Sequence, residues 1–189
     1  MVKNVAVVSL SAGVLGESFA KHELDIGAKR LADYGLNVRF MPHALAGIEY
    51  IKNHPEDRAA DLLAAFRDPE IDMILCAIGG DDTYRLAPYL FSDHELQRAV
   101  SKKPFLGFSD TTIDHFMLRK VRQADDPDRP DHTPSLPCIL LLYMVSVPRP
   151  VCKPFLRTSR KMPGNFAASG MLADFRLLWY NAFTKNEMR

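Results

Sequence analysis

Four short apolar runs, each followed by a turn of small residues or a stretch with helical spacing, limit what this chain can fold into. Val5–Leu10, Val38–Met41, Met73–Ile78 and Phe105–Phe108 have the length and composition of buried strands. After the first, Glu17–Tyr34 repeats apolar residues at Phe19, Leu24, Ala28 and Leu31 and stops at Gly35, which predicts a helix. Pro42–Asn53 reads as loop. Pro55 suits a first helical position, and Leu62, Leu63 and Phe66 carry that helix to Arg67. Thr83–Tyr89 and His94–Val100 read as short helices, the second capped by Asp93. Strands and helices alternating at this rhythm predict βαβ units and a parallel, doubly wound α/β sheet. Right-handed crossovers would then gather the loops after the strands on one edge. Ser11, Gly79-Gly80 and Ser109 all follow strands, so they are expected to meet there.

The sharpest local signal is Lys103-Pro104-Phe105-Leu106-Gly107-Phe108-Ser109-Asp110-Thr111-Thr112. A strand ends here and helical spacing begins, with Ile113, Phe116, Met117 and Lys120 expected on one face. Ser109 sits at the corner, lifted off the carboxyl edge of the sheet, where open α/β folds bind their ligands. Main-chain N–H groups opening the helix behind it would stabilise developing negative charge. That is the physics of a nucleophile elbow, although the letters differ from Gly-x-Ser-x-Gly. The plainer alternative is a serine N-cap, its oxygen accepting an N–H from the first helical turn.

Gly79-Gly80 leaves similar alternatives open. It is either a tight turn needing positive φ or a bare backbone against which a ligand can lie, as a phosphate cradle or half of an oxyanion hole. No Gly-x-Gly-x-x-Gly or Walker pattern follows, so a nucleotide-phosphate domain is weakly supported. Arg85 could hold a substrate carboxylate with its planar fork, or simply be a solvated helix charge. His115 lies about one and a half turns beyond Ser109 and reads as a helix-face residue rather than a base. His22, His43, His54 and His94 show no metal-ligand spacing.

Composition bounds the rest. A hydrophobic content of 47% with 25% charged residues is that of a soluble globular protein. The net charge of +1 gives no argument for nucleic acid or an anionic membrane. Cys76, Cys138 and Cys152 form neither a metal-ligand pair nor a disulfide framework, which favours a reducing compartment. Nothing in the sequence reads as a signal peptide or a membrane span, so a cytoplasmic location is expected. The chain changes character near Val121: residues 1–121 carry a net charge of −3, residues 122–189 one of +4. The second part also holds 8 of the 13 prolines but 2 of the 10 glycines.

Three segments together resemble the LD-carboxypeptidase family of serine peptidases. They are Asp68-Pro69-Glu70-Ile71-Asp72-Met73-Ile74-Leu75-Cys76-Ala77-Ile78-Gly79-Gly80, then Arg85-Leu86-Ala87-Pro88-Tyr89-Leu90, then Lys103 to Thr112. Arg58-Ala59-Ala60-Asp61-Leu62 before the third strand fits as well. The Ile78-Gly79-Gly80 form looks closer to the branch containing the microcin C self-immunity protein than to the muropeptide-recycling enzymes. The resemblance covers residues 1 to about 120. It implies a glutaminase-like (flavodoxin-like) three-layer α/β sandwich in a two-domain hydrolase. Ser109 matches the family's nucleophile, and Gly80 and Asp110 supply the main-chain donors of its oxyanion hole. Gly79 and Arg85 lie where substrate would be held. The implied reaction is acyl transfer to serine and then to water, at an amide next to an L-configured centre. Implied substrates are peptidoglycan tetrapeptide stems or peptidyl and aminoacyl nucleotides, with no metal and no cofactor. Family members are often homodimers, though no interface is legible here.

The tail departs from the family. There, a histidine base and its glutamate partner come from a second domain, whereas residues 122–189 are Pro- and Arg-rich and match none of its motifs. His132 and Glu187 receive no role. The expectation is therefore a nucleophile domain over residues 1–121 with an atypical, irregular tail, such as a lost reading frame would leave. Phe166–Phe183 within it has the spacing of a short amphipathic helix. A serine without its base is a weak nucleophile, so a crippled enzyme is one reading. A non-catalytic homologue or a small-molecule-binding α/β module is the other.

Overall fold

Apolar side chains on both faces of β1 (Asn4–Val8) and β3 (Met73–Cys76) require a sheet covered from two sides. The computed structural model, which describes residues 2–93, 96, 99–100 and 103–123, has that arrangement. Val5, Val7, Met73 and Leu75 pack with Leu24 and Leu31 of α1 (Lys21–Asp33). On the opposite face, Ala6, Val8, Ile74 and Cys76 pack with Ala59, Leu62 and Phe66 of α3 (Pro55–Arg67) and with the helices that follow. The result is the expected three-layer α/β sandwich.

The sheet has four parallel strands in the order β2-β1-β3-β4, with β2 at Asn37–Phe40 and β4 at Phe105–Leu106. Val5 is in register with Val38 on one side and Met73 on the other, and Ile74 with Phe105. The chain thus leaves β1 in one direction and returns on its other side at β3. In such sheets the crevice outside the carboxyl ends of the two strands at the reversal is where ligands bind.

Several elements follow the sequence closely. Pro55 stands at the first position of α3, and the Asp93 carboxylate accepts the Leu96 N–H at 2.9 Å, as expected of a cap. The remainder of that short helix lies partly outside the described residues. Thr83–Tyr89 is a 3-10 turn (Thr83–Leu86) running into α4 (Ala87–Phe91). Lys103 is buried, and its ammonium donates to the Ala65 and Asp68 carbonyls at the end of α3, which anchors the start of β4.

Two expectations are corrected. Pro42–Asn53 is not all loop, because α2 occupies Ile48–Asn53. Its first N–H, on Ile48, is accepted by the Glu17 carboxylate at 2.7 Å, from 31 residues earlier, so no local pattern announces it. The second correction concerns α5 (Thr112–Gln123). Ile113, Phe116 and Lys120 are exposed, and its buried face is Asp114, Met117, Leu118 and Val121. The helix is turned because an acidic residue faces inward, where Thr83 receives it. The boundary expected near Val121 falls in the last turn of α5. Residues 124–189, including the Phe166–Phe183 stretch, His132, Glu187, Cys138 and Cys152, lie outside the described residues. Among the described residues, no helix is long and apolar enough to cross a membrane.

Candidate active site

The turn between β4 and α5 is closed by a side chain other than Ser109. Thr111 Oγ1 accepts the Phe108 N–H at 2.8 Å and donates to the Phe108 carbonyl at 2.8 Å. With the cap supplied there, the Ser109 hydroxyl is released from capping. It is exposed, and among the described residues it has no hydrogen-bond partner. Ser109 has φ +56°, the one left-handed non-glycine residue among those described. A side chain costs of order 1–2 kcal/mol in that conformation, and such strain gathers at functional corners.

The diglycine turn lies directly against this corner. A Cβ on Gly79 would stand 2.8 Å from Ser109 Cβ, 3.1 Å from its Oγ and 3.4 Å from the Asp110 nitrogen. A Cβ on Gly80 would stand 2.1 Å from Ser11 Oγ and 2.9 Å from the Ala12 nitrogen. The Ala12 N–H in turn donates to the Gly79 carbonyl at 3.3 Å. The loops after β1, β3 and β4 therefore meet as expected, and the first two flank the reversal point of the sheet. Gly79 is the glycine that touches Ser109, whereas Gly80 touches the Ser11-Ala12 turn.

A polar network holds the three loops in place. One Asp110 carboxylate oxygen accepts the Ser11 hydroxyl at 2.5 Å and the Thr83 N–H at 2.9 Å. Arg58, with none of its surface exposed, grips Asp82 by two nitrogens at 2.7 and 3.3 Å. Its Nη1 also donates to the Leu10 and Ser11 carbonyls at 3.1 and 3.4 Å. Thr83 Oγ1 lies 3.1 Å from the Leu10 carbonyl and 3.0 and 2.9 Å from the two Asp114 oxygens. Burial pushes the Asp114 carboxyl well above the usual carboxylate range. Of these residues, Thr83, Asp82 and Asp114 carried no signal in the sequence, since a lone Asp or Thr in a helical stretch reads as surface.

Arg85 donates to the Lys52 carbonyl at 2.6 Å and to Asp82 at 3.3 Å, and makes no hydrogen bond to Ser109 or the diglycine turn. His115 is buried beneath the corner, edge-on to Phe105 at 5.0 Å, with Nε2 3.3 Å from the Gly107 carbonyl. Burial lowers its pKa, and its place under the sheet agrees with a helix-face residue. His43 pairs with Asp61 at 3.0 Å and stacks beside Tyr50, which stacks in turn on His54. No histidine among the described residues makes a hydrogen bond to the Ser109 hydroxyl. No group of three or more His, Cys, Asp or Glu side chains among them is arranged to hold a metal.

Chemically, the corner combines an exposed hydroxyl, a helix start behind it and bare main chain beside it. The chain is similar to several known proteins. A Streptomyces coelicolor protein named as a putative carboxypeptidase is 40% identical over 114 residues, 59% of this chain and 34% of its own length. The murein tetrapeptide carboxypeptidase of Pseudomonas aeruginosa is 30% identical over 96 residues, 51% of this chain and 31% of its own. The crystal structure of an MccF-like protein from Streptococcus pneumoniae, in complex with AMP, is 60% identical with a TM-score of 0.62. That likeness covers 64% of this chain and 35% of the other. MccF itself is the microcin C7 self immunity protein. The chain thus spans about a third of the length of these relatives. Residues 5–124 match the model of the LD-carboxypeptidase N-terminal domain, and by that match the chain belongs to the LD-carboxypeptidase family.

Proposed function

We propose that residues 1–121 form the nucleophile domain of a serine carboxypeptidase-type hydrolase, with residues 122–189 as a separate tail. Ser109 Oγ attacks an amide carbonyl next to an L-configured centre. The resulting oxyanion is met by the main-chain N–H groups of Gly80 and Asp110, the amine leaves, and water then hydrolyses the seryl ester. Gly79 lets the scissile group lie flat against the corner, and Arg85 holds substrate from the side of Asp82. The observation that carries the reading is Ser109 itself: exposed, left-handed, abutting Gly79 and without a hydrogen-bond partner among the described residues. The family resemblance places the base in a second domain whose motifs residues 122–189 do not match, so this chain by itself is a crippled hydrolase.

The substrate is a small peptide conjugate in the cytoplasm, either a murein peptide or a peptidyl or aminoacyl nucleotide. The AMP complex of the 60% identical relative favours the nucleotide-bearing class. A fluorophosphonate probe tests the nucleophile: it labels the wild type and not Ser109→Ala. Hydrolysis of an L,D-tetrapeptide alongside an aminoacyl-sulfamoyl adenylate then separates the substrate classes. A second reading, a non-catalytic binding module, is favoured by the lack of any histidine bonded to the Ser109 hydroxyl among the described residues. It predicts AMP binding in equilibrium dialysis with no labelling at Ser109.

A further inference from the structure

Thr83 Oγ1 has three oxygen atoms within hydrogen-bonding distance and one proton to give. The Leu10 carbonyl is 3.1 Å away, and the two oxygens of Asp114 are 3.0 and 2.9 Å away. Both Thr83 and Asp114 are fully buried. An ionised Asp114 would have to share that single proton between two oxygens and would take it from Leu10. A buried carboxylate with one shared donor and no cation hydrogen-bonded to it is costly. The cation that acts on Asp114 is Arg58, whose Nη1 and Nη2 are held by Asp82 and two carbonyls, while its buried Nε has no hydrogen-bond partner among the described residues. With a proton on Asp114, both bonds form in full: Asp114 donates to Thr83 Oγ1, and Thr83 donates to the Leu10 carbonyl.

We propose that Asp114 is a positioning residue held un-ionised, whose proton, passed through Thr83, pins the segment after the diglycine turn to the end of β1 and to the Ser109 corner. The chain of bonds runs from α5 through Thr83 to Leu10, while the Thr83 N–H reaches back to Asp110 beside Ser109. Burial, and Asp110 one helical turn earlier, disfavour a charge on Asp114 and outweigh Thr83 from the 3-10 turn and Arg58 from α3, which favour it. Cys76 from β3 is a buried thiol pushed up by its own burial, so it brings no charge. The importance of the pin for catalysis rests on the role given to Ser109 above. The proton on Asp114 does not.

The carboxyl 13C resonance of Asp114, followed against pH in the wild-type chain, decides the proton without any variant. The expected result is a resonance in the un-ionised position at pH 7, and an ionised position there overturns the proposal. Hydrogen exchange decides the pinning. In Asp114→Ala the Gly79, Gly80 and Thr83 amides should exchange roughly 10-fold faster relative to those of β1 and β3, and Asp114→Asn should return them to within about 2-fold. Unchanged exchange in the alanine variant, or no rescue in a folded asparagine variant, overturns it. Should the alanine variant fail to fold, Thr83→Val against Thr83→Ser makes the same comparison, with only valine freeing the loop. None of these readouts depends on Ser109 being reactive, so their failure is distinct from failure of the hydrolase reading.

Discussion

Gly79 faces the Ser109 side chain so closely that one added methyl group would stand 2.8 Å from Ser109 Cβ and 3.1 Å from Oγ. Two residues 30 positions apart in the chain thus share one small space at the carboxyl edge of the sheet. The contact follows from strand order: β3 and β4 are neighbours in the sheet, so the turns that leave them are neighbours too.

Gly79→Ala should therefore damage the corner specifically. Overpacking of this kind costs about 1–3 kcal/mol, and a displacement near 1 Å of a reacting group can cost about 100-fold in rate. The expected outcome is a folded chain with a lowered melting temperature and probe labelling at Ser109 reduced by about 100-fold. Labelling at the wild-type rate would show that the corner has room to spare.

The left-handed backbone at Ser109 predicts an inversion of the usual ranking of substitutions. Glycine normally destabilises relative to alanine, but here it relieves the strain that alanine keeps. Ser109→Gly should be more stable than Ser109→Ala by about 1 kcal/mol in urea unfolding, after allowing for glycine's greater unfolded-state freedom. Equal stabilities would mean that the strain is absent in solution.

Arg58 is buried with Asp82 as its partner, so removing Asp82 strands a buried cation, whereas removing Arg58 leaves Asp82 with Arg85. Asp82→Leu should cost about 3–5 kcal/mol, and the double variant Arg58→Met with Asp82→Leu markedly less than the sum of the two single changes. Additive losses in a double-mutant cycle would show that the two are not coupled.

His115 gives the fold an acid sensitivity. Its folded pKa is lowered by burial, so the unfolded chain binds the proton more readily. Its contribution is fully present above the unfolded value of about 6.5 and is lost as pH falls from there through the lowered folded value. The wild type should lose more stability between pH 7.5 and 5.5 than His115→Gln does, measured by urea unfolding at each pH. Parallel losses would place the acid sensitivity on other groups.

The apolar runs of the strands and the helical spacing between them were enough to set the parallel α/β class, because burial on two faces and a period of 3.6 residues are written locally in the chain. The motif letters around Gly79-Gly80 and Ser109 pointed to the corner for the same reason. The sequence did not reveal which face of α5 turns inward. Its large apolar residues Ile113 and Phe116 look like core, yet they are exposed and Asp114 is buried. That choice is made by Thr83, 31 residues earlier, whose hydroxyl makes an acidic residue acceptable inside. The helix at Ile48–Asn53 was hidden likewise, its first N–H being satisfied by Glu17 from across the fold. Local pattern determined what each segment is. Long-range hydrogen bonds, formed once strand order brings distant loops together, decided how the segments are turned, since a buried polar group takes its free energy from a partner that the neighbouring letters do not contain.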